Sequence, residues 1–228
     1  MADVFIFGAG GLGRMVRDIL CQAGQHRPRA FLDNNPNKHG TVIDGLPVVG
    51  DLRALNELRP KGVSGAVVAI GCNEERCEIA ESIAAHGIQL VSAIHPLVSV
   101  SPTARLDSHL IIGPRVSICV HARIGRHCVL SAGTIIEHDN VIGRGVFLHP
   151  AVRLAGTVVV DDFATIGIGA CVIPGRRIGR GARVEPGAVV IQNVEPDTQV
   201  TGVPAAERRA NESRFIPEAE YAPLAELV

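Results

Sequence analysis

Val100-Ser-Pro-Thr-Ala-Arg-Leu106-Asp-Ser-His-Leu-Ile-Ile112-Gly-Pro-Arg-Val-Ser-Ile118-Cys-Val-His-Ala-Arg-Ile124 carries a branched aliphatic at every sixth residue. The register continues without a break through Leu130, Ile136, Ile142, Leu148, Leu154, Val160, Ile166, Val172, Ile178 and Val184 to Val190. A period of six matches neither the 3.6 of a helix nor the alternation of a flat strand, but it suits a chain coiled as a triangular prism with one buried aliphatic per side. The C-terminal half therefore reads as a hexapeptide β-solenoid.

Three hexads close one coil, so residues 18 apart stack about 4.8 Å from each other, the spacing of neighbouring strands. Four places after each aliphatic the chain holds mostly small residues (Ala104, Ala122, Cys128, Thr134, Ala164, Ala170, Ala182, Ala188), as an interior corner requires; Leu110 and Arg176 fit less well. The preceding place holds Gly133, Asp139, Gly145, Gly169, Gly175, Gly181, Gly187 and Asn193, residue types that tolerate positive φ, and is expected to be the turn. His109, His121 and His127 share it and are read as turn residues.

Upstream of the solenoid, Val4-Phe5-Ile6-Phe7 runs into Gly8-Ala-Gly10-Gly11-Leu12-Gly13, followed by Met15, Val16, Ile19 and Leu20 at helical spacing. A strand, a glycine turn and a helix N-terminus are suited to facing a phosphate, and Asp33, ending the strand Ala30-Phe31-Leu32, is placed for a ribose hydroxyl. The same glycines also suit a turn needed only for tight packing. A second unit follows: strand Ala66–Ile70, turn Gly71-Cys72-Asn73, and a helix from Glu74 to His86, with Arg76 in reach of a phosphate. A strand near Leu90-Val91 completes a small parallel sheet. Fewer than 100 residues cannot hold both halves of a dinucleotide fold, so one nucleotide is the expected cargo.

The boundaries expected are a Rossmann-like domain over 1–94, a solenoid over 95–206 and a tail over 207–228. A net charge of −1 and 3% aromatic residues provide neither the electrostatic footprint nor the stacking surface of a nucleic-acid binder. Six cysteines without a CxxC pair, no signal peptide and no long apolar span point to a reduced cytoplasm and no membrane insertion.

His138 stands apart from the turn histidines. In Ile136-Glu137-His138-Asp139-Asn140 it precedes the turn position, and adding 18 brings Gly156 beside it on the next coil. An imidazole next to a residue without a side chain leaves room for a ligand and suits proton removal at neutral pH. Asp139 either serves the turn alone or fixes the imidazole tautomer, although neighbours on a regular strand point to opposite faces. The histidines form no compact cluster with metal-ligand spacing, and no metal is expected.

This combination of domains, with GAGGLG, FLDNN, AIGCNEER, IHP, IIEHDN, LAG and TGVPA in order, resembles the sugar O-acyltransferase family of sialic-acid O-acetyltransferases and bacillosamine or perosamine N-acetyltransferases. The resemblance implies a left-handed parallel β-helix, a homotrimer with acetyl-CoA between adjacent solenoids, and a nucleotide sugar on the N-terminal domain. It implies that His138 is the general base, Asp139 its acidic partner and the Gly156 N–H a donor to the thioester oxygen. Nucleotide-sugar contacts then fall on Gly8, Gly10, Gly11, Leu12, Gly13, Asp33, Asn34, Gly71, Cys72, Asn73 and Arg76. Acetyl-CoA contacts fall on Phe147, His149, Gly156, Gly167, Ile168, Gly169, Val203, Pro204 and Ala205. Leu12 and Phe147 stand where relatives often carry histidine, and His149 is a candidate to replace the second.

The activity so implied is acetyl transfer to the amine of a nucleotide-linked 4-amino-4,6-dideoxy sugar, serving glycan or surface-polysaccharide synthesis. O-acetylation of a sialic-acid-like sugar, a non-catalytic nucleotide-sugar-binding trimer and an NAD-dependent oxidoreductase are the competing readings.

Overall fold

The computed structural model describes residues 2–55 and 62–207. Strand β1 (Ala2–Phe7), helix α1 (Gly11–Ala23) and strand β2 (His26–Leu32) open the chain, followed by a hairpin of β3 (Val42–Ile43) and β4 (Leu46–Pro47). Strand β5 (Val63–Val68), helix α2 (Asn73–Ala85) and strand β6 (Gln89–Leu90) complete the N-terminal domain. Its sheet is parallel in the order β2-β1-β5-β6, so the order reverses between β1 and β5. A crevice at such a switch point, outside the carboxyl ends of the strands, is where open α/β sheets bind ligands. The turns Gly8–Gly13 and Gly71–Asn73 flank that crevice.

The solenoid is a parallel β-helix of short strands from β7 (Ala93–Ile94) to β25 (Ala206–Glu207). It starts with Ile94, one hexad before Val100, so its first coil precedes the boundary expected at 95. Pairing joins residues 18 apart on three faces: Ile112 with Leu130 on the first, Ile118 with Ile136 on the second, Ile124 with Ile142 on the third. From Ile112 on, the hexad aliphatics form one interior core with the corner residues, Leu110 among them, whereas Val100 is exposed and Leu106 and Arg176 are only half-buried. In-phase burial every sixth residue makes any register slip expel a whole set of side chains, which holds the coils in line.

Every turn position from His109 to Gly187 has φ between 55° and 71°, including Arg115, Ala151, Thr157 and Phe163, whose side chains disfavour that region. From Arg115 on, each such turn is tied to the coil beneath, as Asp139 N–H donates to Val120 O at 3.0 Å and Thr157 N–H to His138 O at 2.9 Å. The coil path, not residue type, sets the conformation. Asn193 is a correction: the left-handed residue there is Asp197, at φ 56°. The last coil is two residues short, with Ile178 bridged to Val194 and Arg183 paired with Gln199, so the turn moves and the Asn193 side chain accepts the Arg177 N–H instead. The hairpin of β24 (Gln199–Thr201) with β25 closes the prism, and residues 208–228 of the expected tail lie outside the described residues.

The N-terminal domain docks on the first face. Ala93, Ile111, Val129 and Phe147, the outward residues of that face at successive coils, pack into one cluster with Val4, Ile6, Val16 and Leu20. The corner between the third and first faces forms the rest of the seam. Its turn column, His109, His127, Gly145 and Phe163, meets β5 and α2. His109 Nε2 accepts the Val68 N–H at 2.9 Å, and His109 Nδ1 lies 2.8 Å from His127 Nδ1. An acceptor at Nε2 puts the His109 proton on Nδ1, so His127 accepts there and both rings are neutral. Burial, with the other imidazole next, pushes His109 down to about 3; burial, with Arg126 next, lowers His127 to about 4.

Candidate active site

His138 and Asp139 lie at the corner between the second and third faces, after the strand Ile135–Ile136. The φ of 58° at Asp139 turns its carboxylate back, so the two adjacent side chains meet: His138 Nδ1 lies 2.8 Å from Asp139 Oδ2. A carboxylate can only accept at neutral pH, so Nδ1 carries the proton and Nε2 keeps its lone pair. That nitrogen faces Gly156, where an added Cβ would overlap Nε2 and Cε1. The absent side chain therefore lets the basic nitrogen of a half-exposed imidazole lie directly against the Gly156 backbone.

The expected acetyl-CoA residues divide. Gly156 is at the His138 corner, whereas His149, Gly167, Ile168 and Gly169 follow the strands of the first face, at its corner with the second. Val203, Pro204 and Ala205 continue from the first face, and Ala205 N–H donates to Val189 O on the second. Val203 and Ile168 are exposed, and the Val203–Pro204 bond is cis. The two groups thus sit at opposite edges of the second face. One chain does not bring them together.

Phe147 lies on the outer side of the first face, against the N-terminal domain. It stacks on His149 with centroids 4.3 Å apart and rings 4° from parallel, and it packs in the same cluster as Leu12 of the glycine turn. Leu12 and Phe147 therefore place two apolar groups at one seam.

In the N-terminal domain the glycine motif has two parts. A Cβ at Gly8 would strike Ala69 O and one at Gly13 would strike Gly8 O, so these two serve close packing; Gly10 and Gly11 face open space. Gly71 is open as well, and Cys72 and Asn34 are exposed. Asp33 holds the turn: Oδ2 accepts from Ala9 N–H at 2.8 Å and Lys38 Nζ at 2.9 Å, and Oδ1 from Asn35 N–H at 2.8 Å. Burial would raise its carboxyl, but Lys38 and these two N–H groups outweigh it and hold it below the usual range. Lys38, which the sequence reading passed over, thus places an ammonium beside the α1 N-terminus.

Arg76 and Asn73 require correction. Arg76 is fully buried and donates to the carbonyls of His127, Ile70 and Gly145 at 2.9 Å, to Gly71 O at 3.5 Å and to Asn73 Oδ1 at 2.8 Å. Asn73 Nδ2 donates to Phe163 O and Thr165 Oγ1. Their polar atoms close the domain seam, which leaves Arg76 no N–H for a phosphate. His109 and His127, read as turn residues only, belong to the same seam; their burial depends on a domain docked from elsewhere in the chain.

Residues 3–83 match the family described as PglD N-terminal domain. GDP-perosamine N-acetyltransferase of Escherichia coli O157:H7 is 33% identical over 214 residues, covering 90% of this chain and 95% of that protein. The crystal structure of PerB from Caulobacter crescentus, in complex with CoA and GDP-perosamine, superposes with a TM-score of 0.86 at 36% identity, covering 92% of this chain and 98% of that one. The acetyltransferase domain of PglB from Neisseria gonorrhoeae, in complex with acetyl coenzyme A, gives 0.83 at 27% identity over 90% and 98%. Sharing sequence and two-domain fold with these proteins over nine-tenths of its length, this chain belongs to the family of hexapeptide-repeat acetyltransferases that includes GDP-perosamine N-acetyltransferase.

Proposed function

We propose that the protein transfers an acetyl group from acetyl-CoA to the amine of a nucleotide-linked 4-amino-4,6-dideoxy sugar, with His138 as general base. The observation that carries this reading is the His138 corner itself: a tautomer held by Asp139, with Nε2 free to take a proton, opposite the side-chain-free Gly156. The sugar amine attacks the thioester carbonyl carbon as His138 Nε2 removes its proton, and the Gly156 N–H donates to the oxygen as negative charge develops. The C–S bond then breaks, and the thiolate leaves as CoA on taking up a proton.

The same geometry would serve a sugar hydroxyl. The amine is preferred because relatives from Escherichia coli and Caulobacter crescentus are named GDP-perosamine N-acetyltransferase and perosamine N-acetyltransferase. The crevice between β1 and β5 is the proposed nucleotide site, with Gly10, Gly11, Asn34, Gly71 and Cys72 open to it. A homotrimer is proposed because the expected acetyl-CoA residues occupy two edges of one face, which only a neighbouring solenoid can bring into one site. Six unpaired cysteines support a reduced cytoplasm, and no described helix is long and apolar enough to cross a membrane. Surface-polysaccharide synthesis is the proposed context.

The test is thiol release from acetyl-CoA with GDP-, UDP- and CMP-linked 4-amino sugars and their 4-hydroxy counterparts. Turnover with a 4-amino sugar, lost in His138→Ala with the oligomer intact, is the expected result. Near-normal turnover in that variant refutes the assignment of the base.

A further inference from the structure

Asn140 occupies the interior corner directly after His138-Asp139, and its side chain is fully buried. Its amide donates twice, to Glu137 O at 2.7 Å and to Ala155 O at 2.9 Å. Two carbonyl acceptors fix which end of the amide is nitrogen. Each belongs to a peptide unit of the site: Glu137 C=O is bonded to the His138 N–H group, and Ala155 C=O to the Gly156 N–H group. One side chain thus grips the peptide that carries the base and the peptide whose N–H faces the developing oxyanion.

Stability does not call for an amide there. The same corner holds Ala122 one coil below and Val158 one coil above, both fully buried. Asn140 Oδ1, in contrast, is buried without a hydrogen-bond partner among the described residues, an arrangement that disfavours folding. The coil is distinctive at its other corners too. Cys128 Sγ donates to Gly143 O at 3.0 Å and Thr134 Oγ1 to His149 O at 3.3 Å, so at three consecutive corners a polar side chain reaches the carbonyl fifteen residues on. Between Val98 and Ala188 the other such corners are filled by Ala, Val or Leu, apart from Arg176, with Ser92 and Thr198 at the two ends of the prism.

We infer that Asn140 is a positioning residue for acetyl transfer, setting the spacing of His138 from the Gly156 peptide and strengthening the Gly156 N–H as a donor. A hydrogen bond to a peptide carbonyl polarises the N–H of the same unit, so the contact to Ala155 O acts directly on that donor. The role rests on the proposed reaction.

The experiment compares Asn140→Val and Asn140→Thr with the full-length wild type, reading thiol release and thermal unfolding. Val matches the neighbouring corner and removes the unpaired oxygen, so its Tm is expected to equal or exceed that of the wild type. Its kcat should fall about tenfold or more, with both KM values within about a factor of two, as loss of an interaction realised in the transition state requires. Thr supplies a hydroxyl donor of the kind Thr134 uses and should recover most of the loss. Wild-type kcat in the Val variant, or a Thr variant as slow as Val, overturns the inference. Parallel falls in Tm and kcat in both variants also overturn it, since they mark a structural role. If His138→Ala is inactive while Asn140→Val is unaffected, the reaction stands and only this role fails; a wild type without turnover removes both.

Discussion

Gly156→Ala should separate catalysis from stability. The added Cβ falls on Nε2 and Cε1 of His138, well inside van der Waals contact. Gly156 is outside the left-handed region, so alanine strains no backbone there, and the atoms it meets are the end of a half-exposed side chain. The imidazole rotates away and the coil does not shift. What is lost structurally is the 2.8 Å contact with Asp139, a half-exposed pair worth under about 1 kcal/mol. That corresponds to a Tm change of at most about 4 °C in a chain of this size. What is lost catalytically is a positioned base, typically about 10²–10⁴ in rate, or about 3–5 kcal/mol of barrier. Thiol release at saturating substrates should therefore drop at least about a hundredfold while the unfolding midpoint barely moves. A kcat within about threefold of wild type would refute the placement of Nε2 against Gly156, because no base could work unchanged from a displaced position.

Other outcomes follow from the seam and the N-terminal crevice. Arg76→Met leaves five acceptors without their donor, and at about 1–3 kcal/mol for each buried group left unsatisfied, partly offset by relaxation, a loss of at least about 3 kcal/mol is expected. Calorimetry should show a Tm lower by roughly 6–12 °C, with KM for the nucleotide sugar unchanged below the transition; a raised KM at unchanged Tm would restore a phosphate-binding role. Lys38→Ala should raise KM for the nucleotide sugar several-fold and leave KM for acetyl-CoA alone, measured by initial rates, and an unchanged pair of KM values excludes Lys38 from that site. His109 and His127 are held well below the 6.5 of an exposed histidine, so the unfolded chain binds more protons than the folded one below that pH. Their contribution to stability is complete above pH 6.5 and declines as the pH falls toward 4. In the double variant His109→Asn/His127→Asn, whose new residues also tolerate positive φ, Tm should depend less steeply on pH across that window; an equal slope would refute the neutral pair.

Much of the His138 corner is legible because the solenoid converts numbering into neighbourhood. The 18-residue stack places Gly156 beside His138 from numbering alone, whereas the contact between Asp139 and the adjacent histidine is decided by the backbone at φ 58°. The seam was not legible in the same way. Arg76 at the start of a helix after a glycine turn has the local pattern of a phosphate ligand, and nothing nearby announces that carbonyls 51 and 69 residues further on will take its N–H groups. Asn193 shows a smaller failure of the same kind, since the two-residue shortening becomes visible only in the pairing of Arg183 with Gln199.

By itself the sequence determined the prism, its three faces, the stacking of its coils and the pairing of His138 with Gly156. These depend on burial repeated in phase at short range, where each hexad restates the same constraint. Only the tertiary structure decided which face receives the N-terminal domain, that Arg76, Asn73, His109 and His127 form the seam, and that the expected acetyl-CoA residues occupy two edges of one face. Those outcomes depend on single, non-repeated contacts between distant segments, and a buried polar group reveals its partner only when both segments are in place.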